Sequence, residues 1–329
     1  MKITYLQNVK YNKVVIWGYP LYSHTHSYVH YGYYQAFKSL GYDTYWFNDD
    51  DYPETEDFTN TLFIGEGFAD KNLPINDSSA YFIMYCPSPE KYLEAERYID
   101  VRTVGVGIKD HIYDYSLDKT KTLKVGPGCY FESKTDKVVH IKNDYHDYTM
   151  KDYDKLYISW ATNLLPDQID PNNITLPRKN VVHYCGTVSN SGVCENYSTI
   201  IPFVEECNKH NIQFVVNDPW QNPLPFEEVT RRIQESVLAP DIRGPEHLRT
   251  RVVTCRVFKN ISYGHLGLTN SEEIYNEMDG NCIYNPDTRQ LFYDGLDNID
   301  NFDLISKGMQ YVKENHTYIN RAKSILSVL

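Results

Sequence analysis

No apolar run in this chain approaches the ~20 residues needed to cross a bilayer, and the opening MKITYLQNVKYNK lacks the apolar core of a signal peptide. Both absences predict a cytoplasmic chain without a transmembrane segment. No C-x-x-C pair occurs among Cys86, Cys129, Cys185, Cys194, Cys207, Cys255 and Cys282, which are odd in number and widely spaced. That pattern argues against a disulfide framework and against a structural zinc, and the thiols read as reduced, mostly buried small apolar groups. The Asn-x-Ser/Thr triplets at Asn173, Asn196, Asn260 and Asn315 then carry no meaning for glycosylation. No G-x-G-x-x-G follows either strand that would open a nucleotide fold, which disfavours a dinucleotide oxidoreductase. Positive charge is scarce as well: 32 basic side chains face 44 acidic ones, a net charge of −12. A nucleic-acid backbone is therefore not an expected partner, and any anionic ligand must be caught by a local cluster of cations.

One stretch supplies such a cluster. Residues 237–271, VLAPDIRGPEHLRTRVVTCRVFKNISYGHLGLTNS, read as a strand over Val237 to Ala239 broken at Pro240, a loop with Arg243, Arg249 and Arg251, a short helix, and a strand over Leu266 to Thr269. On a helical period Val253, Val257, Phe258 and Ile261 share an apolar face, while Arg256, Lys259 and Tyr263 fall on the other. Basic residues on an outer helix face are ordinarily just solvated. Here they follow a strand's carboxyl end, where open α/β sheets bind ligands, and a phosphate is the expected guest.

At 329 residues the chain is long enough for two cores. Lys13 to Gly18 reads as a buried strand, PLYSHTHS as a polar loop, Tyr28 to Leu40 as a helix stopped by Gly41, and Tyr42 to Phe47 as the next strand. This βαβ opening predicts a parallel sheet. Further strands are expected at Leu62 to Ile64, Tyr81 to Cys86, Arg102 to Ile108, Val138 to Ile141 and Lys155 to Ser159. The NDDD run around Asp49 to Asp51 reads as a solvated turn. A proline-bearing connection then leads to a second series: strand Val181 to Cys185, helix Thr199 to His210 capped by Ser198 with Pro202 in its first turn, strand Gln213 to Val216, and helix Phe226 to Ser236. The cationic stretch, helix Glu272 to Met278 and a long helix from Phe302 to Leu329 complete it. The expected fold is α/β with two Rossmann-like domains facing across a cleft: 1–169, then 170–301, with 302–329 packing back towards the first.

The segments CRVFKNISYGHLGLTNS, IWGYPLYSHTHSYVHYGYYQAFKSLGYDTYWFND and VKENHTYINRAKSIL resemble nucleotide-sugar glycosyltransferases of the two-Rossmann-domain type (GT-B), in particular a group found in large DNA viruses and some bacteria. The likeness covers most of the chain; 110–154 lies outside it. It implies a donor site in the second domain, an acceptor site in the first, and transfer of a sugar from a nucleotide-sugar, a UDP-sugar by preference, to a glycan or other hydroxyl acceptor. Many retaining members carry a Glu-x7-Glu pattern whose second glutamate binds the ribose. Lys259 and Arg251 stand at those two positions here, so the ribose contact does not carry over: a lysine there suits a phosphate or a differently placed donor, and loss of catalysis stays open.

Glycosyl transfer needs the leaving diphosphate neutralised, the acceptor positioned and, with inversion, a base. The diphosphate candidates are Arg243, Arg256 and Lys259, with backbone N–H groups of the Gly186 to Gly192 loop, including Thr187. Replacing Arg256 or Lys259 by Ala is expected to weaken nucleotide binding without unfolding the chain. Asp218 and Trp220 are candidates for the nucleotide base. On the acceptor side His24, His26, His30 and Glu66 are the titratable groups of the loops, and His24, His26 and Glu66 are the catalytic candidates. No metal and no cofactor are expected, and closure of the two domains on donor binding is. Two other readings stay open: a binding protein that holds a nucleotide or sugar without turning it over, and a sugar-nucleotide epimerase of the same fold.

Overall fold

A computed structural model of the chain describes residues 10–11, 13–103, 122–133, 138–142, 147–151, 153–174, 178–190 and 195–329. The expected strand at Arg102 to Ile108 runs past residue 103 out of that set, and so do Cys194 and part of the loop after Gly186.

The first half is built on β1 (Lys13–Trp17), β2 (Asp43–Phe47), β3 (Thr61–Glu66), β4 (Ala80–Met84), β5 (Arg97–Thr103), β6 (Leu123–Gly126) and β7 (Cys129–Glu132). A separate hairpin, β8 (Val138–Lys142) and β9 (Asp147–Lys151), precedes β10 (Asp154–Ile158). Seven of these strands and β10 form one eight-stranded sheet in the order β2-β1-β3-β4-β5-β10-β7-β6. Pairing is parallel from β2 through β10; β7 and β6 run antiparallel at the far edge.

The continuous apolar runs of β1, β3 and β4 are explained by burial on both faces. Val14, Ile16, Leu62, Ile64 and Phe82 pack with Val29, Tyr33 and Phe37 of α1 (Ser27–Ser39), while Val15, Trp17, Phe63, Tyr81 and Ile83 pack on the opposite face with Phe58 and Tyr92. Asp49 is more than a solvated turn. Its carboxylate accepts from Trp17 Nε1 and from the backbone N–H groups of Lys71 and Asn72, each at 3.0 Å, tying the loop after β2 to the loop after β3.

The second half pairs β11 (Val181–Cys185) with β12 (Gln213–Asn217), in parallel, separated by α2 (Tyr197–Lys209). Helix α2 starts two residues before the expected Thr199. Asn196, not Ser198, precedes it, and Pro202 is its sixth residue. The Asn196 side chain instead accepts from Ser189 N (3.0 Å) and donates to the Thr187 carbonyl (3.0 Å), fixing the loop after β11. After α3 (Phe226–Glu235) the backbone N–H of Val237 donates to the Val181 carbonyl at 2.8 Å, so the chain runs alongside β11. It then forms β13 at Pro240–Asp241, beyond the proline at which the expected strand ends, because β13 pairs through Asp241 with Thr269 of β14 (Leu268–Thr269). Helices α4 (Pro245–Thr250) and α5 (Arg256–Ser262) lie between them; α6 (Glu272–Glu277), β15 (Ile283–Tyr284) and α7 (Thr288–Asp297) follow. Tyr263 is buried, 2 % exposed, with its hydroxyl on Asn163, and does not share the outer face with Arg256 and Lys259.

The tail is two helices, α8 (Phe302–Asn315) and α9 (Tyr318–Ser327), where periodicity predicts one. The break is set by His316, which stacks on Phe258 at 4.2 Å, and by Thr317 and Asn320, which form a capping box. Turned there, α9 lies against α1 with Tyr318 packed on Tyr33 at 5.0 Å. No helix among the described residues is long and apolar enough to cross a membrane.

Candidate functional site

Loops leaving the carboxyl ends of β1, β3 and β4, with the end of β5, meet loops leaving β11, β12 and β13 around one cavity of about 670 Å³. Parallel pairing explains the convergence: within each sheet the parallel strands end at the same edge, where the loops that follow them begin. At one border the walls touch. The rings of His24 and Trp220 lie 4.7 Å apart, Tyr28 Oη donates to the Leu224 carbonyl at 3.1 Å, and Phe226 packs against Tyr28 at 5.2 Å.

On the wall from the first half, Nδ1 of His26 lies 3.0 Å from Oε2 of Glu66. An ionised carboxylate only accepts, so in the neutral imidazole Nδ1 carries the proton and Nε2 is left as the basic nitrogen. Glu66 is 1 % exposed at the end of β3, and its Oε1 has no hydrogen-bond partner among the described residues. Aromatic rings enclose His26: His24 at 4.8 Å, Trp160 at 5.4 Å and Tyr85 at 5.6 Å. His24 accepts the backbone N–H of His26 at its Nδ1 (3.1 Å), and burial, reinforced by the neighbouring His26, holds it down to about 4. It is neutral at pH 7. His30 is fully buried beneath the loop against Gly18, where a β-carbon would meet its ring at 2.1 Å, and burial holds it at about 3.

The opposite wall carries the cations. Arg243, 3 % exposed, clamps Asp241 through Nη2 at 2.7 Å and Nε at 3.0 Å. Arg256 donates from Nη1 to Tyr184 Oη (2.6 Å) and from Nε to the Cys185 carbonyl (3.2 Å), and its Nη1 lies 3.4 Å from Asp241. Its guanidinium covers Gly186, where a β-carbon would meet Nη2 at 1.8 Å, so any side chain at this position requires the arginine to move. Lys259 differs. Its Nζ sits 5.0 Å over the Tyr28 ring and 5.7 Å over Phe226, with no hydrogen-bonded or ion-paired partner among the described residues. Two arginines and a lysine against one aspartate leave this wall with surplus positive charge.

Most of the expected site residues are thus brought together: His24, His26, Glu66, Gly186, Thr187, Arg243, Arg256 and Lys259 all line the cavity. Asp218 is set back from it. Its carboxylate accepts from the Trp220 backbone N–H at 2.9 Å and from Thr187 Oγ1 at 3.4 Å, holding the turn that presents Trp220. Arg249 points away, paired with Glu246 at 2.6 Å, and Arg251 ends α4 in the left-handed region at φ 58°.

Sequence reasoning passed over His247 and Trp160, which line the cavity. His247 is pushed down to about 4 by burial and then by Arg243 and Arg256. Its signal was its place in GPEHLRT, inside the cationic stretch; Trp160 had none. Among the described residues no three His, Cys, Asp or Glu side chains group as a metal-ion site. Compared with models of known protein families the chain matches none, and no curated protein matches it.

Proposed function

We propose that this protein is a glycosyltransferase of the two-domain GT-B type that moves a sugar from a nucleotide-sugar, a UDP-sugar by preference, to a hydroxyl acceptor without a metal ion. The observation that carries the reading is the single cavity with a hydrogen-bonded His26–Glu66 pair on one wall and Arg243, Arg256 and Lys259 on the other. Transfer separates charge: the acceptor oxygen loses a proton while the diphosphate leaves with an electron pair. A histidine oriented by a buried carboxylate suits the first demand, because the carboxylate fixes the tautomer and stabilises the imidazolium that forms. A cationic wall suits the second. In this reading 170–301 holds the donor, 1–169 the acceptor, and reaction takes place in the cytoplasm.

One observation favours a second reading, a protein that holds a nucleotide or sugar without turning it over. Arg243 and Arg256 are already engaged by Asp241 and Tyr184, and cations stand at both family glutamate positions. An epimerase is separated from both by altering the donor with no acceptor present.

The test is thermal unfolding against UDP, GDP, dTDP, CMP and ADP, with and without EDTA. A nucleotide at 100 times its dissociation constant adds about 2.7 kcal/mol of stability. Stabilisation by one of them that persists in EDTA is the expected result, followed by release of that nucleotide when its sugar conjugate and an acceptor are supplied. No stabilisation by any of the five would overturn the reading.

A further inference from the structure

The rings and polar atoms around His26 carry a narrower inference. Trp220 and Phe68 are each 56 % exposed, among the most exposed large apolar side chains, and both line the cavity. Large aromatic faces left in water at a cavity wall are costly unless something covers them. Trp220 does not lie deep against its own sheet: its ring reaches across to His24, whose ring is 4.8 Å from His26. It therefore borders the histidine wall, which argues for covering by the acceptor. Its direction is fixed, because Asp218 accepts its backbone N–H and Asp218 is in turn held by Thr187.

Two buried polar atoms next to His26 also have no hydrogen-bond partner among the described residues: Oε1 of Glu66, an acceptor, and Nε1–H of Trp160, a donor. Buried polar groups are ordinarily satisfied, so a ligand that fills this end should bring both a donor and an acceptor. A hydroxyl is both at once. A ring with an apolar C–H face and a rim of hydroxyls matches aromatic faces together with these polar atoms; the lone hydroxyl of a phenol or an aliphatic alcohol has one proton and cannot donate to Glu66 Oε1 and to His26 Nε2 at once.

We infer that the acceptor is a carbohydrate, one of whose sugar rings stacks on Trp220 while its hydroxyls reach Glu66 Oε1, Trp160 Nε1 and the His26 imidazole. The acceptor role rests on the glycosyl-transfer reading; sugar binding at Trp220 does not. In transfer the reacting hydroxyl gives its proton to His26 Nε2, its oxygen bonds the donor's anomeric carbon, and the bond from that carbon to the phosphate oxygen breaks with its electron pair going to the phosphate.

An array of defined oligosaccharides, probed with and without UDP, followed by fluorescence titration of the best ligand, tests the inference. Trp220→Ala is expected to weaken that ligand about tenfold, Trp220→Phe to restore most of the loss, and neither to shift the unfolding midpoint of the free protein. Absence of any bound sugar in both conditions overturns the inference, as does unchanged affinity in Trp220→Ala or binding confined to aryl alcohols such as p-nitrophenol. The two ideas fail separately. Sugar binding through Trp220 without nucleotide stabilisation would sink transfer and keep the sugar site, whereas nucleotide stabilisation with no sugar bound would do the reverse.

Discussion

Glu66 Oε2 stands 3.0 Å from His26 Nδ1, and that bond makes one nitrogen of one of the three histidines near the loop's end a base. His24 and His30 are held neutral by burial, and His24 spends its Nδ1 lone pair on a backbone N–H. Glu66→Gln keeps the shape, but an amide can donate to Nδ1 and so favour the wrong tautomer. For the proposed sugar transfer the expected loss of rate is about 10²- to 10⁴-fold, with nucleotide affinity unchanged. His26→Asn should lose about as much, and the double variant little more, because the two act as one unit. Rates of nucleotide release measure this; losses that multiply in the double variant would refute the pairing.

Lys259 is the cation with least to lose in the free protein. Lys259→Ala should leave the unfolding midpoint alone and weaken UDP by roughly 10- to 100-fold, the worth of a hydrogen bond to a charged group. Lys259→Glu separates two ideas, since it installs the acid of the family pattern. A phosphate contact predicts weaker binding than the alanine variant, and a ribose contact predicts tighter binding. Calorimetric titration distinguishes them.

Arg256 departs from the sequence expectation that its loss would spare the fold. Its removal strips donors from Tyr184 Oη and the Cys185 carbonyl and leaves the buried Asp241 with Arg243 alone. Arg256→Ala is expected to lower stability by about 1–3 kcal/mol as well as weaken nucleotide binding. Denaturant unfolding without ligand checks it; an unchanged midpoint would contradict the packing.

Arg321 holds α9 to the first sheet. Fully buried, it donates to the carbonyls of Ser159 (2.8 Å), Pro127 (2.7 Å), Asn315 (3.0 Å) and Trp160 (3.2 Å), to Ser159 Oγ (2.8 Å) and to His316 Nδ1 (2.9 Å). Arg321→Ala orphans these acceptors in the dry interior and should cost at least ~3 kcal/mol in denaturant unfolding. Arg321→Lys should recover only part, because an ammonium has three donors and no planar fork.

Acid should unfold the chain through its buried histidines. Burial holds His265 down to about 4, His30 to about 3, and His316, also beside Arg321, well below its ordinary range. His316 is fixed as the neutral Nε2–H form by accepting from Arg321 at Nδ1 and donating to the Glu277 carbonyl at 3.0 Å. In the unfolded chain each titrates near 6.5. Between the folded and unfolded values the unfolded state binds the extra proton, so this stability is complete above about pH 6.5. It is lost as pH falls towards 4, by up to about 1.4 kcal/mol per pH unit per histidine. Denaturation midpoints should be flat from pH 8 to 7 and fall steadily from 6 to 4.5; a flat profile across the lower range would contradict it.

Much of the scaffold was legible because its causes are local. Continuous apolar runs bounded by glycine or polar turns mark β1, β3, β4 and β11, and the helical period marks α1, α3 and α5. The break between α8 and α9 was not legible, because it is imposed by Phe258 under His316, 58 residues away in the chain. Tyr263 was misplaced for the same kind of reason: Asn163 waits for its hydroxyl on the supposedly outer face.

What the sequence determined alone is the inventory: a chain short of positive charge, one cationic stretch, a histidine loop after the first strand, and parallel strands whose loops share an edge. These follow from composition, period and the geometry of parallel pairing, none of which needs a partner distant in sequence. Which histidine meets Glu66, that Arg256 shares the Asp241 of Arg243 while Lys259 has no ion partner among the described residues, and that Trp220 reaches His24 were decided only by tertiary structure. The His26–Glu66, Arg256–Asp241 and Trp220–His24 contacts join residues 40, 15 and 196 positions apart, fixed by how distant segments pack and not by any local preference of the residues that make them.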